Sequence, residues 1–409
     1  MPAVKKIIVS IHLGGVETEL GELISEGKRI YFKYYKSFIE RGIEISPLKL
    51  KLSDKLYVAD EIPFDGLFGV FADSLPDGWG RLLVDRTLAS KGISIYDTTP
   101  LDRLSVVGTK GMGALIYRPE IANGFNEDVQ LELDAIAEAM NHVLDGTSAE
   151  VIEELFNLGG SSGGARPKIF VGYNAKTGHL MQGVNDLPGG YDHWLIKFPT
   201  SSDLVDIANI EYAYYKMAID AGIEMSECKL FKGGSGKVYF GTKRFDRINN
   251  KRLHLHSAAG IMHDNFRLSN LDYGHLMDCA FQLEKDVRAY EKILRIAAFN
   301  VFAYNRDDHS KNFSFLMDEK GSWKFAPAYD LTFSNSSHGL HSTMVAGNSQ
   351  DPGIKDLMKL SEYFKLKNGS LIIQHVREVV LNWKSYAKQG DVSHTSSNLI
   401  NKRIAGKKI

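Results

Sequence analysis

The octet NRDDHSKN, residues 305–312, sets two aspartates, a histidine, a lysine and two asparagines close together. Three readings are open for such a cluster: a solvated turn, a seat for a divalent metal, or a site that handles a reacting hydroxyl. Its surroundings decide between them. Before it, VRAYEKILRIAAFNVFAYN (287–305) carries Leu294, Ala298, Val301 and Phe302 at core spacing, which predicts a helix running straight into the cluster. After it, FSFLM, DEKG and SWKFA (313–326) read as a strand, a four-residue turn and a strand. A hairpin brings its ends together. Asn312 is therefore expected near Ala326 and Pro327, and Asp330 follows three residues later. Antiparallel neighbours lie about 5 Å apart, so Asn312 and Asp330 can share one ion.

That ion is expected to be Mg²⁺, because one amide oxygen and one carboxylate are too few for a self-sufficient cage. Mg²⁺ keeps waters and takes further ligands from substrate phosphates. Zinc would call for cysteines or histidines, and only His309 is near. Asp307 precedes Asn312 by five residues. An aspartate, an asparagine, a hairpin and a second aspartate is the layout of phosphoryl transfer at a protein-kinase-like site. There the first aspartate orients or deprotonates the hydroxyl and the other two residues hold metal. Lys311 would neutralise charge growing on the transferred group. His309, beside two aspartates, reads either as a base or as a ring that hydrogen-bonds backbone and holds the loop; Asp307 already fills the base role.

The upstream parts of a nucleotide site are present in the matching order. GGSSGGARPK (159–168) is a candidate phosphate loop, since glycines let backbone N–H groups approach oxygens closely. It is neither a Walker motif nor G-x-G-x-x-G, and a plain flexible turn is its other reading. In HWLIKF (193–198), Trp194, Ile196 and Phe198 share one strand face and Lys197 takes the other, either to meet phosphates or as an ordinary half-exposed lysine. Glu211 opens a helix fourteen residues on and is placed to orient Lys197, or simply sits well near a helix N-terminus.

The first 50 residues read as strands, KIIVSIHL and RIYFKYYKSFI among them. A helix is predicted from the Pro76-Asp77-Gly78 turn to Gly92, and another over NIEYAYYKMAIDAG (209–222), with Gly222 as its cap. Helices dominate beyond about residue 258. The chain has 409 residues, a net charge of −1 and two cysteines, Cys228 and Cys279, far apart in sequence. This balance excludes strong nucleic-acid or membrane attraction by the chain alone. No disulfide framework or signal segment is read, no membrane span is expected, and a cytoplasmic location fits.

Together SLPDGWGR, GGSSGGARPK, RFDR, NRDDHSKNFSF and PAYDL resemble the HipA family, the serine/threonine kinase toxins of bacterial type II toxin–antitoxin modules. The resemblance covers nearly the whole chain. It implies an α+β fold: a small N-terminal β-rich domain (1–120), then a bilobal protein-kinase-like domain. That domain comprises an N-lobe (121–256) with the glycine loop and ATP-binding lysine, and a mostly helical C-lobe (257–409). Carried over by motif, Asp307 is the catalytic aspartate with Lys311 beside it, and Asn312 and Asp330 hold Mg²⁺. The ATP-contacting set is Ser161, Ser162, Gly163, Gly164, Ala165, Lys168, Lys197, Glu211 and His309, and Ser161 is the serine for autophosphorylation. Phosphate there would put nearly two negative charges into a phosphate loop and expel it. The implied cofactors are ATP and Mg²⁺. The implied partners are a HipB-like helix-turn-helix antitoxin, operator DNA through that complex, and a protein substrate, for which aminoacyl-tRNA synthetases are the family precedent. Two features depart from the pattern. Asp308 stands where glycine is common, open to a second metal or substrate role, and LHSAAGIMHDNFR (255–267) replaces a short acidic segment. Two other readings of the same chemistry are a kinase of small-molecule or lipid hydroxyls and a nucleotide-binding co-repressor scaffold without catalysis.

Overall fold

The computed structural model describes residues 4–121, 130–146, 152–159, 163–183, 186–336 and 339–406. The chain divides into two compact units. The first is Met1–Ser201, Phe231–His256 and Leu316–Ser322; the second is Ser202–Leu230, Ser257–Phe315 and Trp323–Ile409.

The first unit opens with β1 (Lys6–Leu13), β2 (Val16–Glu26), β3 (Arg29–Tyr34), β4 (Tyr57–Val58) and β5 (Leu115–Arg118), ordered β4-β3-β2-β1-β5 with antiparallel pairing throughout. In β1 the alternate residues Ile7, Val9, Ile11 and Leu13 are all buried, the period of two that the sequence shows. The expected strand RIYFKYYKSFI ends earlier, at Tyr34. Its pairing with β2 stops at Gly21↔Tyr34, and Lys36–Ile39 turns into one helical turn. That turn returns the buried Phe38 onto Tyr34, with stacked rings whose centroids are 6.1 Å apart.

A second sheet follows, built from β6 (Lys168–Tyr173), β7 (Leu180–Gln182), β8 (Asp192–Lys197), β9 (Cys228–Lys232, within which the chain re-enters this unit) and β10 (Val238–Lys243). Its order is β7-β6-β8-β10-β9. Trp194, Ile196 and Phe198 are buried on one face, as their alternation predicts. They join a core with Trp79 and Leu83 of the helix Gly78–Ser90 and Met140 of the helix Leu133–Leu144. Beyond β10 the RFDR motif leaves the sheet and forms a buried ionic knot. Asp246 accepts from Arg244 Nη2 and Arg247 Nη1, each at 2.7 Å, and from the Gly113 N–H at 2.8 Å. Arg247 in turn donates to the Gly113 and Gly111 carbonyls at 2.9 and 3.2 Å, so the knot stitches this turn to the loop before β5.

The second unit is mostly helical. On the helix Ile207–Asp220 the predicted stripe Ile210, Tyr214 and Met217 is fully buried, as is Ala221 just beyond it, and Gly222 follows at φ +76°. The Tyr214 hydroxyl donates to the Ala303 carbonyl at 2.6 Å, tying this helix to the end of the helix Arg288–Phe302. Among the described residues no helix is long and apolar enough to cross a membrane.

Candidate functional site

The helix Arg288–Phe302 is buried along Leu294, Ala298 and Val301 and stops at Ala303. Tyr304 takes φ +59°, a left-handed residue that ends the helix and starts the polar octet. Asn305 is buried; its amide donates to Asn300 Oδ1 at 2.9 Å, and it forms a bridge with Ser334. Ser310–Asn312 close one tight 3₁₀ turn, with the Asn312 N–H on the His309 carbonyl at 2.8 Å. The Asn312 side-chain amide donates to the Asp307 carbonyl at 2.7 Å. The metal candidate and the base candidate are thus joined through one turn.

The hairpin expected after the octet is present, with legs Ser314–Met317 and Trp323–Phe325. At its foot the Ala326 N–H donates to the Ser314 carbonyl at 2.8 Å. Tyr329 adds a lateral tie: its hydroxyl donates to the Lys311 carbonyl at 2.7 Å and accepts from Ser314 Oγ at 2.6 Å. Asn312 and Asp330 line one pocket together with Asn300, Phe313, Pro327 and Tyr329. Asp330 is held at φ +53°, a conformation uncommon for a residue with a Cβ and one that concentrates at functional sites. Among the described residues no three His, Cys, Asp or Glu side chains gather at one point. The Asn312–Asp330 pair would offer a cation a sparse ligand set, of the kind that suits Mg²⁺ supplemented by waters and phosphate oxygens.

Asp307 and Asp308, adjacent in sequence, meet different fates. The Asp307 side chain is 61% exposed, with His309 Nε2 3.9 Å from its Oδ1. Asp308 is buried and fully engaged within the protein. Its Oδ2 accepts from Tyr273 Oη at 2.9 Å and His341 Nδ1 at 3.0 Å, and its Oδ1 from the N–H groups of Ser342 and Thr343 at 2.8 and 3.3 Å. Burial, then the Asp308 charge, pushes the Tyr273 hydroxyl well above its ordinary range, which keeps it a donor. His309 does not use Nδ1 to grip backbone: that atom is buried without a hydrogen-bond partner among the described residues, and the ring packs on Phe266 with centroids 5.4 Å apart.

The phosphate-loop candidates lie in the first unit. Lys168 opens β6 and Lys197 ends β8, and the register pairs Lys168 directly with Lys197. Side chains directly opposite on antiparallel strands share one face, so two ammonium groups project from the same side of the sheet. Lys168 is buried and its Nζ donates to the Gly163 carbonyl at 2.5 Å; Lys197 Nζ lies 5.5 Å from the Phe240 ring centroid. Gly164 sits at φ +94°, a backbone conformation that side chains with a Cβ rarely adopt, so the position favours glycine, with Lys168 Nζ packed against it. Ala165 follows in the same turn. Ser161 and Ser162 lie outside the described residues. Glu211 is buried on the helix Ile207–Asp220 of the second unit. Each unit therefore assembles its own group: Gly163, Gly164, Ala165, Lys168 and Lys197 in the first, Asp307, His309, Lys311, Asn312 and Asp330 in the second.

Sequence reasoning missed the partner of the SLPDGWGR turn. The Asp77 carboxylate accepts from the Gly164 N–H, and a Cβ on Gly78 would lie 2.5 Å from Ala165 Cα, so this turn buttresses the glycine loop. The PDG tripeptide signalled a turn but not what the turn holds. Tyr273, Tyr329 and His341, which support the octet, gave no signal of their own.

A family model described as the HipA-like C-terminal domain matches residues 160–384, and one described as the HipA N-terminal domain matches residues 10–118. The chain is 24% identical over 363 residues to the serine/threonine-protein kinase toxin HipA of Shewanella oneidensis, covering 81% of this chain and 76% of that protein. It is similar in fold, at a TM-score of 0.66 and 18% identity, to the HipA chain of a solved complex of HipA, HipB and operator DNA from Shewanella oneidensis MR-1, with 97% of each chain covered. That likeness shows the α+β fold, with an N-terminal antiparallel sheet and a kinase-like arrangement of the HipA type, that the sequence led us to expect. The C-terminal match alone spans more than half of the sequence, and the chain belongs to the HipA family.

Proposed function

We propose that this protein is an ATP- and Mg²⁺-dependent serine/threonine protein kinase, the toxin of a two-component module, that phosphorylates a cellular protein and itself. The observation that carries the reading is the pocket lined by both Asn312 and Asp330, with Asp307 strapped to Asn312 and exposed to an incoming hydroxyl. In this reading Asp307 accepts the proton of the acceptor hydroxyl and Lys311 faces the charge that develops on the transferred group. Asn312 and Asp330 hold Mg²⁺, which when bound neutralises and orients the phosphates. The paired Lys168 and Lys197, the loop Gly163–Ala165 and the buried Glu211 serve ATP binding, and His309 is proposed as a further ATP contact. Ser161 is the proposed site of autophosphorylation, with Ser162 beside it. The functional parts are residues 1–120, an N-lobe of 121–256 and a C-lobe of 257–409. A HipB-like antitoxin is the proposed partner, through which the chain reaches operator DNA; the Shewanella relative's complex with HipB and operator DNA supports this.

The test is transfer of label from γ-³²P-ATP to the purified protein and to a lysate. Label that requires Mg²⁺ and vanishes in Asp307→Ala supports the reading. Label that persists in Asp307→Ala removes Asp307 as the base, and turnover confined to small hydroxyl compounds replaces the protein substrate by a small one.

A further inference from the structure

The segment 263–267, HDNFR, whose Phe266 packs on His309, lies against the octet within the second unit. Asp264 Oδ2 accepts from Ser310 Oγ at 2.5 Å and from Ser269 Oγ at 2.8 Å, which fixes the segment to the residue preceding Lys311. The half-buried Phe266 ring then receives two cations. Lys311 Nζ lies 4.8 Å from its centroid and the Arg267 guanidinium carbon 4.4 Å. The His309 ring adds a tilted contact at 5.4 Å.

A lysine carries a flexible four-carbon stem, and holding it in one rotamer costs side-chain entropy. A ring face within about 6 Å attracts an ammonium through its quadrupole, the more so as water is excluded. A cation that must meet developing negative charge contributes most when it is already in place. Phe266 supplies the attraction, and the Asp264–Ser310 bond ties the ring's segment to the turn that carries Lys311. An aliphatic side chain of similar bulk fills the same space but has no quadrupole to hold the ammonium.

We propose that Phe266 is a positioning residue for phosphoryl transfer: its ring holds the Lys311 ammonium beside Asp307, and Asp264 locks that ring to the catalytic turn through Ser310. This rests on the kinase reading above, with Lys311 as the group that acts.

The experiment uses the full chain with lysine ¹³Cε labelling and the variants Phe266→Leu, Phe266→Trp, Lys311→Met and Phe266→Leu/Lys311→Met. One readout is independent of catalysis. A lysine ε-methylene resonance shifted upfield by a ring current is expected in the parent and lost in both Lys311→Met and Phe266→Leu. The other is MgATP kinetics. Phe266→Leu is expected to lower kcat about tenfold with KM within about twofold, Phe266→Trp to stay within about threefold of the parent, and Phe266→Leu to add less than about twofold once Lys311 is Met. The proposal is overturned if the shifted resonance is absent, if Phe266→Leu is as active as the parent, if Leu and Trp impair equally, or if the two losses multiply. A shifted resonance without any Asp307-dependent transfer overturns the kinase reading, and the catalytic role with it, while supporting the Phe266–Lys311 pairing.

Discussion

The side-chain amide of Asn312 donates to the backbone carbonyl of Asp307 at 2.7 Å. This bond commits the amide nitrogen, so the amide oxygen is the atom left to act as a ligand. Asn312 thus has two tasks, and substitution separates them. Asn312→Asp supplies an oxygen ligand with a full charge but cannot donate to Asp307. It is expected to bind Mn²⁺ at least as tightly as the parent while transfer falls by about ten- to a hundredfold. Mn²⁺ titration followed by electron paramagnetic resonance, run beside the labelling assay, checks both. Equal losses in binding and transfer would mean that the strap on Asp307 does not matter.

Asp308 is held by four donors, which marks it as an anchor of the octet. Removing its carboxylate strands four donors, from Tyr273, His341, Ser342 and Thr343, in a buried site. Asp308→Ala is expected to lower unfolding stability by about 3–5 kcal/mol, and Asp308→Asn by less because one oxygen still accepts. Urea denaturation at neutral pH measures both. A stability loss under about 1 kcal/mol for Asp308→Ala would contradict the anchoring role.

The Asp246 knot predicts an acid sensitivity. Burial by itself would raise this carboxyl, but the Arg244 and Arg247 guanidinium groups outweigh it and hold the carboxyl well below the usual carboxylate range. A group depressed on folding stabilises the protein above its unfolded value, near 3.9, and that stability drains away as pH falls through it towards the lower folded value. Asp246→Ala leaves two buried guanidinium groups without their counter-charge and is expected to cost about 3–5 kcal/mol at pH 7. Urea midpoints at pH 7 and at about pH 2.5 test the claim, with the difference between parent and variant shrinking at the lower pH, below the unfolded carboxyl value.

His254 adds a second acid sensitivity, at higher pH. Burial, then the neighbouring His256, brings its imidazole down to about 3, and the ring stays neutral with Nε2 bonded to the Ile45 carbonyl at 2.9 Å. In the unfolded chain it titrates near 6.5, so its contribution is complete above that pH. It is lost by up to about 1.4 kcal/mol per unit as pH falls from there towards the folded value. Substituting His254→Gln is expected to flatten stability between pH 6.5 and about 5. An unchanged slope in that variant would place the effect elsewhere.

What the sequence disclosed was local. The helix ahead of the octet, the hairpin behind it and the resulting neighbourhood of Asn312 and Asp330 all lie within one stretch of chain, so periodicity and turn chemistry suffice to read them. The turn Lys36–Ile39 was hidden because aromatic strand formers continue past the point where β2 stops pairing. Long-range partners were hidden for a different reason. Asp77 meets Gly164 across 87 residues and His341 meets Asp308 across 33, and no pattern in either segment names the other. Asp308 was ambiguous for the same cause: its role depends on donors that arrive from Tyr273 and from 341–343.

The central claim is that Asn312 and Asp330 grip one cation at the nucleotide's phosphates. Crystals grown with Mn²⁺ and a non-hydrolysable ATP analogue test it through the anomalous signal of the metal. The account predicts a peak at about 2.1–2.2 Å from both the Asn312 amide oxygen and an Asp330 carboxylate oxygen. A peak coordinated by neither, or held by Asp307 and phosphates alone, would contradict it.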